Sequence, residues 1–501
     1  MARLSKAFIN ENKLSEKLEG PVNGWAQLPE KVLQFGTGVL LRGLPDYFID
    51  KANRQGVFNG RIVVIKSTDK GGTDEFSDQD SLYTLHVKGI EKGKETQKSK
   101  LISSISRVLS AAKHWEEILD IATKDELELI ISNTTEVGIN LDEEDDVKAL
   151  PPASFPAKLT ALLHKRFLHF NGDIDKGLVI LPTELISDNG SKLKEIVVKL
   201  AHIHLLGYDF INWLNVANYF CNTLVDRIVP GKLPREEQEY EEQRLGYKDD
   251  LAILAEPFRL WAIESDSAKV KKVLSFSKAD KGVFIVPDIQ KFKELKLRLL
   301  NGSHTFSCGL ALLCGFSTVK DTMKNDVFLR YMQLLMQKEI IPAMMGEEIS
   351  EEEALDFAAN VIDRFRNPFL NHQWTDISFN YTSKVQMRTI ALIEGYVHKQ
   401  QAVPQHMALG FAAYLLFMKG ETGNSNNEKP SLFSELWKKN DTDELVNTVL
   451  KNQDLWKTDL STIPGFAEAV NKYLQLLTNN DALSIVKQVN EETEQLIAQR
   501  K

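Results

Sequence analysis

Four short, almost unbroken apolar runs near the start of the chain constrain its fold more than any other feature. They are KVLQF (31–35), RIVVIKS (61–67), LELIIS (127–132) and GLVILP (177–182), each soon stopped by Gly, Asp, Asn or Pro. A strand with one face in water alternates apolar and polar residues, whereas a continuous apolar run has both faces covered. Between the runs lie stretches of helical pattern, LLRGLPDYFIDKANRQG and AAKHWEEILDIATKD. Such an alternation predicts a parallel sheet between two helical layers. From about Asp288 the β-runs stop, and long helical segments continue to Lys501. The chain therefore reads as α/β, with a parallel-sheet domain over 1–285 and a mostly α-helical domain over 286–501. Its 501 residues are ample for two such cores.

Several classes of function are disfavoured. With 61 Lys+Arg against 70 Asp+Glu the net charge is −9, unlike a nucleic-acid-binding surface. The longest apolar run, MALGFAAYLLFM (407–418), is too short to span a bilayer and reads as a buried helix. The N-terminus has no apolar stretch of the secretory type. Cys221, Cys308 and Cys314 form no CxxC pair and read as buried thiols in a reduced, cytoplasmic interior. The acidic clusters DEEDD (142–146), REEQEYEEQR (235–244) and GEEISEEEALDF (346–357) read as solvated turns and helix starts, with Ser350 and Glu353 spaced as a capping box. KGETGNSNNEKP (419–430) reads as a polar surface loop.

The first run ends in FGTGVLLRG. Gly36 and Gly38 sit where a dinucleotide fingerprint places its first two glycines, one for a tight turn and one for close approach of a pyrophosphate to a helix N-terminus. Leu41 stands where the third glycine belongs, and Gly43 comes late. Phe35, Gly36, Thr37, Gly38, Val39, Leu40 and Arg42 are thus candidates to line a dinucleotide, with Ser67 and Asp69 after the second run near the ribose. Asp69 accepts from a ribose 2′-hydroxyl and favours NAD(H), while Lys66 pulls toward a 2′-phosphate. Asn133 and Thr134 in ISNTTEVG (131–138) end a later strand, where such sheets bind ligands or cap helices.

A second feature lies in KLRLLNGSHTF (296–306). Counting about 100° per residue, His304 falls about 80° and Asn301 about 140° from Lys296, on one broad face. In apolar surroundings an amine, an amide and an imidazole are costly unless paired or used. The residues alone leave several readings open: a core histidine with a capping asparagine and a snorkelling lysine, a lysine imine, a metal ligand, or a proton-transfer site. Metal-ligand spacing is missing around His304. A partly desolvated lysine is suited to deliver a proton to the alkoxide formed by hydride transfer, with Asn301 donating to the oxyanion and His304 holding a neighbouring hydroxyl.

KLRLLNGSH resembles the K-x₄-N-x₂-H motif of the polyol-specific long-chain dehydrogenases, the mannitol dehydrogenase family. FCNTLVDRIVP (220–230), EPFRLW (256–261), QDSLYTL (79–85) and GTGVLLRG are similar to further stretches of that family, in the same order along the chain. The resemblance implies a metal-independent, NAD(H)-linked secondary-alcohol dehydrogenase with a Rossmann-type domain and a helical substrate domain. It makes Lys296 the general acid/base, Asn301 an oxyanion donor and His304 a substrate-hydroxyl ligand. Asp226 would orient His304, and Lys384 in SKVQMR would bind substrate. Where polyol enzymes carry D-N-x₃-N-G this chain has E-L-x₃-N-G, so Glu184 and Leu185 replace the first pair and Asn189 is the remaining candidate for a second oxyanion donor. That change, with LPTELISDNG (181–190) and NPFLNHQW (367–374), points to members acting on sugar acids. A small anionic sugar-acid substrate calls for cations, and Lys384, Arg227 and Arg388 are the candidates. The nearest rival readings are other members of the same family, acting on fructuronate or on mannitol; a non-catalytic nucleotide sensor and a lysine-imine lyase are the more distant ones.

Overall fold

The computed structural model describes residues 1–67, 72–134, 138–346, 348–420, 430–439 and 441–499. Asp69 and most of the 419–430 segment lie outside them. The chain forms two compact units, Met1–Lys88 with Glu95–Ile289, and Gly89–Lys94 with Gln290–Lys501.

The first unit is built on six parallel strands: β1 (Glu30–Phe35), β2 (Arg61–Lys66), β3 (Ile105–Ser110), β4 (Leu129–Ser132), β5 (Val179–Pro182) and β6 (Tyr219–Phe220). Their order is β3-β2-β1-β4-β5-β6, that of a doubly wound dinucleotide fold. Both faces are covered. Val32, Ile62, Val64, Leu129, Ile131, Val179 and Leu181 join one core, and Leu33, Phe35, Val63, Ile65, Ile130 and Ile180 the other. The four runs seen in the sequence are the four central strands. The edges were not visible, because β3 carries partly exposed Ser106 and Arg107 and β6 is two residues long.

Two acidic residues are not on solvated surface as their clusters suggest. Glu241 is 5% exposed, accepting from Lys88 Nζ at 2.8 Å and from Arg244 Nε at 2.7 Å. Asp145 accepts the backbone N–H groups of Ala153 and Ser154 at 2.8 and 2.6 Å, and these bonds hold its pKa below the usual carboxylate value against the opposing effect of burial. A charge run records solvation on average, not residue by residue.

The second unit is helical. In its central helix, Gln405–Met418, every residue from His406 onward is buried. No helix among the described residues is long and apolar enough to cross a membrane. Helix Ser303–Leu313 crosses this one at close range: a Cβ on Gly309 would lie 2.9 Å from the Ala413 oxygen, and one on Gly410 2.6 Å from the Phe306 oxygen. The capping box at Ser350 and Glu353 opens helix Glu351–Phe365. A hairpin tip from the sheet half of the sequence, Gly89–Lys94, belongs to this unit, where the Gly93 N–H donates to both carboxylate oxygens of Asp363 at 3.0 and 3.2 Å.

Candidate active site

In the first unit the connections from β1 and β4 leave toward opposite edges of the sheet, and ligands bind outside the strand ends at such a switch point. The turn there is shaped by glycine. Gly36 has φ +130°, and a Cβ on it would lie 2.7 Å from the Asn133 oxygen and 2.8 Å from Leu41 Cδ1. Gly38 is different: its φ of −63° suits any residue, and a Cβ would meet nothing within 4 Å. That open side fits the close approach of a pyrophosphate. Gly43 takes over the packing role of the displaced third glycine, since a Cβ there would sit 2.7 Å from Val229 Cγ2.

Asn133 donates to the carbonyl and hydroxyl of Thr183, both at 3.0 Å. Thr134 donates through N–H and hydroxyl to Glu184 Oε1 at 2.9 and 3.0 Å, while Ser132 donates to Oε2 at 3.1 Å. Glu184 is buried and ties the end of β4 to that of β5. Sequence reasoning treated it only as a departure from a motif. The available signal was Ser and Thr at the end of one strand with an acidic residue after the next. The Ser67 hydroxyl, just past β2, is buried without a hydrogen-bond partner among the described residues. Thr37, Val39 and Leu40 are partly exposed along the turn.

Four expectations need correction. The Phe35 ring packs in the core, its centroid 5.0 Å from that of Phe155, so only its backbone reaches the turn. Arg42 points inward, donating to the Leu251 oxygen at 2.7 Å and lying over the rings of Phe76 and Tyr83. Asn189 is fully buried: its amide nitrogen donates to the oxygens of Pro182 and Glu184 at 3.0 and 3.1 Å, and its oxygen accepts from Gly190 and Thr223 N–H, both at 2.9 Å. An amide has two protons to donate, so Asn189 is a backbone clip with none left for an oxyanion. Arg227 gives Nε to the Glu256 oxygen at 3.0 Å and Nη1 to the Gly43 oxygen, over the Tyr47 ring, and burial pulls its pKa down to about 10. It braces the backbone behind the glycine turn. Asp226 is buried at the end of strand Thr223–Asp226.

In the second unit the trio falls on an unusual element. Lys296–Gly302 is a π-helix, which continues into helix Ser303–Leu313. In a π-helix each N–H reaches five residues back, so residues i and i+5 lie nearly one above the other. Lys296 and Asn301 are such a pair. The α-helical count of about 140° between them is thus replaced by near alignment. Lys296 and Asn301 are half-buried, and the Asn301 amide makes no hydrogen bond to a described residue. His304 is 8% exposed, stacked on Phe365 at 4.1 Å with His372 and Trp374 edge-on at 5.4 and 5.8 Å. Its Nε2 is buried without a hydrogen-bond partner among the described residues.

The surroundings of His304 are basic. Burial, then His372, Arg388, Arg364 and Lys384, push its pKa well below the ordinary value, so the ring is neutral near pH 7. Lys384 donates to the Ile377 oxygen at 2.8 Å. Arg388 reaches the Thr305 hydroxyl at 3.4 Å, and burial lowers its pKa. Among the described residues no three His, Cys, Asp or Glu are grouped to hold a metal ion. A neutral imidazole, an amide and a lysine on one continuous helical stretch can together hold a hydroxyl and protonate a neighbouring alkoxide oxygen.

Residues 30–275 match the mannitol dehydrogenase Rossmann domain and residues 288–478 the mannitol dehydrogenase C-terminal domain. An altronate oxidoreductase from Bacillus subtilis is 37% identical over 453 residues, covering 90% of this chain and 93% of that protein. One from Bacteroides thetaiotaomicron is 36% identical over 469 residues, covering 92% and 97%. Among solved structures, Pseudomonas fluorescens mannitol 2-dehydrogenase, a ternary complex with NAD and D-mannitol, aligns over 98% of this chain and 99% of its own, with a TM-score of 0.67 at 21% identity. A substrate-free D-sorbitol dehydrogenase aligns over 97% and 100%, with a TM-score of 0.80 at 20% identity. Matches that cover both halves of the sequence place it plainly: the chain belongs to the mannitol dehydrogenase family and is an oxidoreductase acting on CH–OH groups.

Proposed function

We propose that the chain interconverts D-tagaturonate and D-altronate with NAD(H). The observation that carries this reading is the basic environment of His304, where burial, His372, Arg388, Arg364 and Lys384 keep the imidazole neutral and its Nε2 has no hydrogen-bond partner among the described residues. A polyol needs only hydroxyl partners, whereas a hexuronate brings a permanent charge that a protein of net charge −9 would repel without local cations. The relatives named altronate oxidoreductase support the same choice.

The residues of the first unit fit a dinucleotide: the turn at Gly36, the open side of Gly38 and the Ser67 hydroxyl, which has no hydrogen-bond partner among the described residues. The bound dinucleotide supplies the hydride. Lys296 gives its proton to the oxygen of the reduced carbon, Asn301 donates a hydrogen bond to that oxygen as charge develops, and His304 fixes a neighbouring hydroxyl. Arg388 and Lys384 hold the carboxylate. No metal takes part, and Asp69 is proposed to favour NADH over NADPH.

The test is the purified protein with NADH and, separately, D-tagaturonate, D-fructuronate and D-fructose. The highest kcat/KM is expected for tagaturonate. A preference for fructose would overturn the sugar-acid reading and leave the dehydrogenase class standing. The cofactor half has its own check. Gly38→Ala should leave the thermal midpoint nearly unchanged, because its Cβ meets nothing, yet weaken NADH binding measured by fluorescence titration at least tenfold, about 1.4 kcal/mol. Unchanged affinity would show that the pyrophosphate does not approach this glycine.

A further inference from the structure

We infer that Ser303 is a positioning residue for proton transfer, its hydroxyl holding the π-helical register that aligns Lys296 with Asn301. The inference rests on the proposed roles of those two residues. A π-turn is rare and leaves carbonyls poorly matched where it returns to α-helix. Here that return falls at Gly302 and Ser303. The Ser303 side chain is fully buried, and its Oγ lies 2.5 Å from the Leu299 oxygen and 3.1 Å from the Leu300 oxygen. The hydroxyl donates into the gap between these two carbonyls. One residue pair on, Thr305 Oγ1 donates to the Asn301 oxygen at 2.8 Å. Tyr381 then donates its hydroxyl to the Thr305 oxygen at 2.8 Å and accepts the Gly309 N–H at 2.9 Å.

The segment is also braced from outside. Arg298, inside the π-helix, donates from Nη1 to the oxygens of Met387 and Arg388 at 3.3 and 3.2 Å, and from Nε to Glu294 at 2.9 Å. An α-helical return would carry Asn301 roughly 140° around the axis from Lys296. So separated, the lysine and the oxyanion donor are drawn toward different sides of a substrate oxygen. At the first residue past the π segment, the Ser303 hydroxyl donates to carbonyls of that segment, those of Leu299 and Leu300.

A double-mutant cycle tests this. Ser303→Ala should lower kcat roughly 10- to 100-fold, the scale of a small misplacement of reacting groups, with KM and NADH affinity little changed. In a Lys296→Ala background the same substitution should cost almost nothing, because the group it positions is gone. A merely structural role predicts the same loss in both backgrounds, and that result, or wild-type kcat in Ser303→Ala, overturns the inference. Near-wild-type turnover in Lys296→Ala alone overturns the catalytic reading and this inference with it. If tagaturonate fails as substrate while another ketose is reduced, the cycle is run on that ketose and remains decisive. Should Ser303→Ala not fold, Ser303→Cys, which keeps the side chain's shape and replaces the hydroxyl with a weak donor, takes its place under the same criteria.

Discussion

Replacing Lys296 with alanine should lower kcat by roughly 10²–10⁴-fold, the range a positioned acid/base contributes. The loss should fall on kcat rather than KM, because the proton is needed in the transition state and not for substrate to bind. NADH affinity should hardly move, since every residue proposed to hold the dinucleotide belongs to the other unit. Small primary amines added to the variant should restore part of the rate. Steady-state kinetics with and without amine, and a fluorescence titration of NADH, check all three. Turnover close to wild type would remove Lys296 from the mechanism.

The second large effect concerns the carboxylate. Arg388→Met should raise KM for tagaturonate by roughly 30- to several-thousand-fold, the equivalent of losing about 2–5 kcal/mol with a charged partner. Activity on a neutral ketose should fall much less. Lys384→Met should act in the same direction but more weakly, because Lys384 also donates to the Ile377 oxygen. The ratio of KM changes on acid and neutral substrates is the measurement. Equal changes on both would make these side chains supports of the helix Tyr381–Gln400 rather than partners of the substrate.

The sequence showed the centre of the sheet and missed its rim for one physical reason. Strands β2, β1, β4 and β5 have neighbours on both sides and cores on both faces, so each holds a run of consecutive apolar residues, as in IVVI, LII and VIL. β3 and β6 lack one neighbour and carry no such run. In the site, the trio was legible because three polar side chains broke an apolar helical pattern. The register that brings two of them together was not, since 3.6-residue periodicity is assumed when a helix is read from spacing. Glu184, Asn189 and Arg227 show the same limit from another side. Each is a polar residue in a stretch that resembles a functional motif, yet each is already fastened within its own unit, Asn189 and Arg227 to backbone groups and Glu184 to Ser132 and Thr134. Residue type and position cannot reveal whether a donor is already engaged. Only the hydrogen-bond inventory does so.

On the ribosome, the hairpin tip at Gly89–Lys94 emerges long before its seat. Gly93 waits for Asp363, 270 residues later. At 5–20 residues per second that interval is roughly 14–54 s. Within it all the remaining strands of the parallel sheet are made, while the hairpin tip still has no Asp363 to meet. Dividing the gene between the two units would make that delay permanent. A fragment beginning at Gln290 would retain Asp363, with 9% of its surface exposed, but not the N–H group that both its oxygens accept.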